Sequence, residues 1–135
     1  MTQKDFETKI TEEIYNDLYE QQSDWSINQF PATNLNYNAS SYTWGWGYVA
    51  NSLVDIYRVT EDKKYLDILT QQIDYIFSQT DEKLEIESFT GTGHSLPVWL
   101  DRGHYTSGEF NYTYPVHTGM ITLPILRFVD TGLYE

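Results

Sequence analysis

Apolar side chains recur at helical spacing in four stretches of this chain, and each stretch predicts one α-helix. The first covers residues 3–21, where apolar positions fall on every fourth residue among acidic ones. The second is the later part of "SYTWGWGYVANSLVDIYRVT", residues 41–60. The third restarts after that stretch, with Thr60 as its predicted N-cap, and runs to about residue 79. The fourth covers residues 117–130.

These helices differ in the polar surface that they carry. The second has a broad apolar face, formed by Trp46, Val49, Ala50, Leu53, Val54 and Tyr57. The third pairs the stripe Tyr65, Leu66, Leu69, Ile73, Ile76 and Phe77 with a polar face of Asp67, Gln71, Gln72 and Asp74. The fourth is apolar on almost every side, through Met120, Ile121, Leu123, Ile125, Leu126, Phe128 and Val129. We therefore expect the second to be mostly buried, the third half exposed and the fourth buried all round, with Pro124 kinking it or shifting its start.

Two segments lack a helical pattern. Residues 23–41 are rich in Asn and Ser and contain Pro31, which predicts a loop. Residues 81–116 carry several glycines and form a connection too long to be featureless inside a compact domain. We expect short extended pieces there and no full sheet.

Shifting the chain so that Gly47 lies over Gly119 aligns the apolar positions of the second and fourth helices. Tyr42 then lies over Tyr114. The match is one of pattern, so chance agreement between two buried helices is the alternative explanation. If the match is a true repeat, the four predicted helices follow the order outer, inner, outer, inner, and the helical hairpins stack side by side.

Two segments resemble the six-hairpin glycosidase-like proteins, the α/α toroids. They are "YVANSLVDIYRVTEDKKYLDILTQQIDYIFSQTDE" and "VHTGMITLPILRFV". The resemblance spans residues 42–130. It implies an all-α fold of helical hairpins with a long irregular loop before the last helix. It also implies hydrolysis or β-elimination of sugars where the inner helices begin.

The chain would supply about two of the hairpins of such a toroid. We expect residues 1–135 to form one domain, as part of a larger toroid or of an oligomer. An all-round apolar fourth helix needs neighbours on several sides, so we expect self-association or the remainder of a larger chain to cover it.

Charge narrows the range of partners. The net charge is −12, from eight basic and twenty acidic residues, which argues against nucleic acid and anionic membranes. The absence of cysteine excludes thiolate metal sites and disulfides. The N-terminus carries no signal-peptide pattern, so we expect a cytoplasmic protein, with export of a trimmed chain left open. We expect no cofactor, and a carbohydrate as ligand.

Trp44 and Trp46 lie at the predicted mouth of an inner helix, where adjacent glycines permit a tight turn and close approach of a ligand. Indole faces suit the apolar faces of sugar rings. Trp46 also has the phase of a core residue, and both roles stay open for it.

His117 lies at the N-terminal end of the other predicted inner helix, the fourth. It is a candidate acid or base, and a helix N-terminus disfavours its charged form. A capping or hydrogen-bonded structural histidine is the alternative. The segment "WLDRGHY" contains the second candidate catalytic residue, Asp101. Its Arg102 and His104 are candidate substrate contacts, as is Tyr114 further along the chain. Tyr105 and Tyr112 lie nearby in the sequence. Asp101 and Arg102 pairing on the surface is the other interpretation. No histidine spacing indicates a metal site.

Three functions follow as hypotheses. The first is a carbohydrate-active protein with Asp101 and His117 as catalytic residues, either a glycoside hydrolase or a lyase. The second is a non-catalytic carbohydrate-binding or assembly module that keeps the aromatic mouth. The third is a structural helical-repeat piece with no ligand.

Overall fold

The computed structural model describes residues 2–5, 7, 9, 11, 13, 14, 17, 38–103, 105 and 109–132. Every described position from 3 to 17 is helical, as the predicted first helix requires. The other positions of that helix and the predicted loop at 23–37 lie outside the described residues. Ile14, on the predicted apolar stripe, is exposed.

From residue 38 onward the described chain is mostly helical, so the prediction of an all-α fold is confirmed at this level. The helical elements are α1 (Ala39–Ser41), a π-helical segment (Tyr42–Trp46), α2 (Gly47–Thr60), α3 (Lys64–Ser78), α4 (Asp81–Leu84) and α5 (Pro115–Val129). The predicted short extended pieces are present as β1 (Asp101–Arg102) and β2 (Asn111–Tyr112), which pair antiparallel with Asp101 opposite Tyr112.

The helix that leads into α2 begins at Ala39, so the loop predicted to reach residue 41 ends earlier. Asn38 is the N-cap, and its side-chain oxygen accepts a hydrogen bond from the Ser40 N–H at 3.1 Å. This bond satisfies an N–H that has no helical partner in the first turn. The chain then makes a π-helical turn in which the Gly47 N–H donates to the Tyr42 carbonyl. Widened turns of this kind are frequent at functional sites.

A tight turn joins α2 to α3. Glu61 adopts a left-handed conformation with φ 56°, and the Asp62 carboxylate accepts the Lys64 N–H at 3.0 Å. Thr60 is the last residue of α2, and its hydroxyl donates to the Ile56 carbonyl at 2.8 Å. The predicted N-cap at Thr60 is therefore wrong, because Asp62 lies nearer to the unpaired N–H groups of α3.

The core lies between α2, α3 and α5. Trp46 is fully buried there, and its indole N–H donates to the Gln72 side-chain oxygen at 3.0 Å. The sequence pattern places Gln72 on the polar face of α3, yet it is buried because it is the hydrogen-bond partner of that indole. Phe77, assigned by the pattern to the apolar stripe, is exposed.

The two predicted inner helices, α2 and α5, run side by side in the same direction. Asp55 forms an ion pair with Arg127, and Arg58 forms one with Asp130, each across a separation of 72 residues. That separation equals the shift that aligns Gly47 with Gly119. Later residues of α2 contact later residues of α5, which requires the two helices to be parallel.

These helices approach each other closely at Gly47. A Cβ atom added at Gly47 would lie 3.2 Å from the Met120 carbonyl oxygen of α5. Pro124 has no N–H to donate to that carbonyl in the usual helical pattern, and α5 continues through Pro124 without a break. Gly47 thus serves helix packing, whereas the sequence suggested a ligand contact for the glycines of this stretch.

The prediction that α5 is buried on all sides is wrong for the single chain. His117, Ile121, Pro124, Ile125 and Phe128 face the interior. Leu123, Leu126 and Val129, on the other side of α5, are exposed. No helix in the described part of the chain is long and apolar enough to cross a membrane.

Backbone hydrogen bonds hold the segment before β1 against the helices. The Leu100 N–H donates to the Asp81 carboxylate at 3.0 Å, and the Leu100 carbonyl accepts the Ala39 N–H at 2.9 Å. The indole N–H of Trp99 donates to the Ile76 carbonyl at 2.9 Å. These bonds place the next residue, Asp101, at the start of α1.

Candidate functional site

The structure brings Asp101 and His117 together in the interior. The Nδ1 atom of His117 lies 2.5 Å from the Oδ2 atom of Asp101, and the exposed side-chain fractions are 2% and 0%. The contact is close but poorly directed, since neither atom makes a well-aligned hydrogen bond within the described part of the chain. The surface pairing of Asp101 with Arg102 is thereby ruled out.

Asp101 contacts both the start of α1 and the strand β2. Its Oδ1 atom accepts the Ser40 N–H of α1 at 3.3 Å, and β1 fixes its backbone against Tyr112 of β2. The same Ser40 N–H also donates to the Asn38 side chain, so the cap residue and the Asp101 carboxylate share one donor of the first helical turn. Asp101 is fully buried, so its side chain reaches His117 and not the solvent, and the catalytic role predicted for it stays a prediction.

His117 lies in the first turn of α5. Its backbone N–H donates to the Tyr114 carbonyl at 3.0 Å, and its carbonyl accepts the Thr43 hydroxyl of the π-helical segment at 3.4 Å. The Nε2 atom makes no hydrogen bond to a described residue and is not among the buried unpaired atoms. It is therefore the ring nitrogen nearer to the surface.

Aromatic rings surround His117 on its outer side. Trp44 and Tyr114 meet the imidazole edge-on, with ring centroids 6.1 Å and 5.3 Å away. Tyr105 lies at 5.6 Å with its plane tilted by 42°. All three rings are exposed, and Trp44 is 45% exposed. We name Trp44, Tyr105 and Tyr114 the aromatic rim.

Hydrogen bonds link the aromatic rim across the chain. The Trp44 indole N–H donates to the Tyr105 hydroxyl at 3.0 Å, and the Tyr105 N–H donates to the Tyr112 hydroxyl at 2.8 Å. Tyr112 also contacts Tyr114 edge-on at 5.1 Å. The indole edge of Trp44 is thus positioned by β2 through Tyr105, which leaves part of its face exposed to solvent.

The other predicted contacts do not join this group. Trp46 is completely buried in the core, two residues from Trp44 but turned away from the rim, so the core role holds and the ligand role does not. Arg102 is exposed and alternates with buried Asp101 along β1, so its side chain lies on the other face of the strand. His104 lies outside the described residues.

Tyr105 and Tyr112 are site residues that the sequence placed only nearby. Their signal is the clustering of tyrosines in "HYTSGEFNYTY", but spacing alone does not say which rings meet. The described residues contain no group of three or more histidine, aspartate or glutamate side chains arranged to hold a metal ion.

Comparison with known proteins adds no family assignment. No protein-family model, curated protein or solved structure matches the chain.

Proposed function

We propose that this chain is a carbohydrate-active protein of α/α-toroid type that binds a sugar on the aromatic rim. The observation that carries the proposal is the convergence of three exposed rings, Trp44, Tyr105 and Tyr114, on one buried His117–Asp101 pair. Exposed aromatic faces with polar edges suit the alternating apolar and hydroxylated surfaces of a sugar. The rim lies where the two parallel helices begin, as expected for a toroid mouth.

Charge favours a neutral ligand or one with few negative groups. The net charge of −12 disfavours densely anionic polymers through long-range repulsion. The polar groups at the rim are tyrosine hydroxyls and an indole N–H, which bind neutral hydroxyl groups well.

A second candidate is catalysis at the same rim, by a lyase or a hydrolase. The Asp101 carboxylate, 2.5 Å from Nδ1, favours it, since a carboxylate behind an imidazole is the arrangement that orients the ring in general acid–base catalysis by histidine. Hydrolysis needs two carboxylates that flank the bond, and a fully buried Asp101 cannot be one of them, so the rim favours elimination over hydrolysis. β-Elimination on a uronate needs one base and one acid, roles that His117 and a rim tyrosine can fill.

Titration calorimetry with a panel of neutral and uronate oligosaccharides tests binding. Trp44→Ala should weaken binding about tenfold or more, equivalent to about 1.4 kcal/mol. Phe77→Ala is the matched control, because Phe77 is 46% exposed on α3 and outside the rim. Absence of binding by the whole panel, or equal losses in both variants, would contradict the proposal.

The catalytic candidate requires a separate assay. Release of an unsaturated uronate product, or of reducing ends, should disappear in His117→Gln while sugar affinity is retained. Binding without turnover would leave the non-catalytic binding module as the function of the rim.

A further inference from the structure

The strand β2 is hydrogen-bonded along both of its edges. β1 lies on one edge, and residues 87–90 lie on the other. The Thr90 N–H donates to the Asn111 carbonyl at 3.1 Å, and the Asn111 N–H donates to the Thr90 hydroxyl at 2.7 Å. The side-chain amide of Asn111 also donates to the Glu87 carbonyl at 2.7 Å. Residues 87–90 therefore hold the strand that carries Tyr112.

A glycine-containing turn follows these residues, and the Glu87 side chain closes it. The Gly93 N–H donates to the Glu87 carboxylate. This hydrogen bond and one from the Gly91 N–H lower the pKa of Glu87 below its ordinary value of 4.5. Gly91 and Gly93 have φ angles of 87° and 67°, in the left-handed region that glycine adopts without steric cost. Residues 87–93, which we name the Glu87 turn, are thus closed by the residue whose carbonyl binds Asn111.

We propose that the Glu87 turn positions the aromatic rim, with Thr90 and Asn111 as the positioning residues. Asn111 directly precedes Tyr112, whose hydroxyl accepts the Tyr105 N–H at 2.8 Å. The Tyr105 hydroxyl in turn accepts the Trp44 indole N–H at 3.0 Å. A shift of β2 is therefore transmitted to the indole of Trp44. The consequence for a ligand rests on the proposed sugar binding at the rim.

The two strands need this support because each of them contains only two residues. An isolated two-stranded hairpin is at best marginally stable in water. Three hydrogen bonds between Asn111 and the Glu87 turn add to the pairing of β2 with β1. Without them Trp44 and Tyr105 would sample more orientations, and ordering the rings on a ligand would cost more conformational entropy.

Nuclear magnetic resonance of the full chain tests the positioning, because the indole N–H of each tryptophan gives its own nitrogen-15 signal. Thr90→Val removes the hydroxyl at nearly constant side-chain shape and should shift the Trp44 indole signal, whereas Thr90→Ser should not. Thr92→Val is the matched control, because the Thr92 hydroxyl donates to the Phe89 carbonyl within the same turn at 2.8 Å. Both threonines are exposed, so circular dichroism should show all three variants folded. The signal of the buried Trp46 should stay in place in all of them.

Titration calorimetry with the oligosaccharide panel measures the effect on binding. Thr90→Val and Tyr112→Phe should each weaken binding about threefold, as expected for the loss of one hydrogen bond. Because both substitutions act through Tyr105, the double variant should bind about as weakly as the weaker of the two single variants.

The two measurements separate this inference from the proposed function. An unmoved Trp44 signal in Thr90→Val, or an equal movement in Thr92→Val, would overturn the inference. So would losses of affinity that add in the double variant. Absence of binding by the whole panel would contradict the proposed function alone, since the Trp44 signal reports the position of the rim without a ligand.

Discussion

Burial sets the roles of the polar side chains at the site. Asp101 and His117 lie side by side where water scarcely reaches, and the Ser40 N–H of α1 donates to the Asp101 carboxylate. The rim residues around them keep exposed faces. The side chains that this site exposes to solvent are therefore the three rings of the aromatic rim, whereas the imidazole lies beneath them.

Asp101→Ala should lower the free energy of unfolding by about 3–5 kcal/mol, because it removes one partner of a buried pair and leaves the imidazole without its carboxylate. Urea unfolding followed by circular dichroism measures the effect. Asp67→Ala removes an exposed aspartate of α3 and should change stability by less than about 0.5 kcal/mol. A loss in Asp101→Ala as small as in Asp67→Ala would show that the pair does not stabilise the fold.

Tyr42 offers a test of a single buried hydroxyl. Its oxygen is buried without a hydrogen-bond partner among the described residues, so Tyr42→Phe should leave stability unchanged or raise it by up to about 1 kcal/mol. Burial, and to a lesser degree the nearby Tyr75, raises the pKa of Tyr42 above its ordinary value of 10.0.

The raised pKa predicts a pH dependence of stability. The folded chain keeps the Tyr42 proton at a pH where the unfolded chain releases it, so stability falls as pH rises above the unfolded pKa. Thermal unfolding followed from neutral to strongly alkaline pH should show a shallower decline in Tyr42→Phe than in the natural chain. Parallel declines would exclude Tyr42 as a source of the alkaline instability.

Packing between elements depends most on the contact of α2 with α5. The two glycines aligned by the repeat have opposite surroundings, with a backbone oxygen beside Gly47 and open space around Gly119. Glycine costs about 1 kcal/mol relative to alanine inside a helix, so a substitution gains helix propensity at both positions. Only at Gly47 does overpacking oppose that gain.

Gly47→Ala should therefore be less stable than Gly119→Ala by about 1–2 kcal/mol. Gly119→Ala alone should raise the free energy of unfolding of the monomer by up to about 1 kcal/mol. Denaturant titrations of both variants at a concentration where the chain is monomeric provide the comparison. Equal gains at the two positions would mean that α5 can move away from Gly47 at little cost.

The helical elements and the register of α2 against α5 could be predicted from periodicity, because each apolar face must be buried by some neighbour. Asp55 and Arg127, which align in the repeat, form an ion pair in the structure. Periodicity failed where a polar group had a specific partner, as for Gln72 with Trp46. It also failed for α5, because an apolar face indicates a need for a neighbour without supplying one.

The site as a whole could be predicted only in part. Trp44, Tyr114 and His117 come together because each lies at the start of an inner helix, which the repeat implies. The burial of Asp101 behind His117 depends on the path of residues 81–101. Hydrogen bonds from Leu100 to Asp81 and from Ala39 to Leu100 define that path, and none of them leaves a periodic signal.

At the scale of the whole molecule, net charge opposes compactness. With a net charge of −12, folding brings like charges closer together, and their repulsion lowers the stability of the folded state. Salt screens this repulsion. The ion pairs Arg58–Asp130 and Lys64–Asp62 are solvent-exposed, so their weakening by salt costs little. Added sodium chloride should therefore raise the melting temperature by a few degrees at neutral pH.

The same increase should be smaller at about pH 5, where the charge is lower because the chain approaches its isoelectric point near 4.4. Differential scanning calorimetry at both pH values, at low and high salt, measures the difference. Salt that lowers the melting temperature at neutral pH would show that attractive ion pairs outweigh the repulsion.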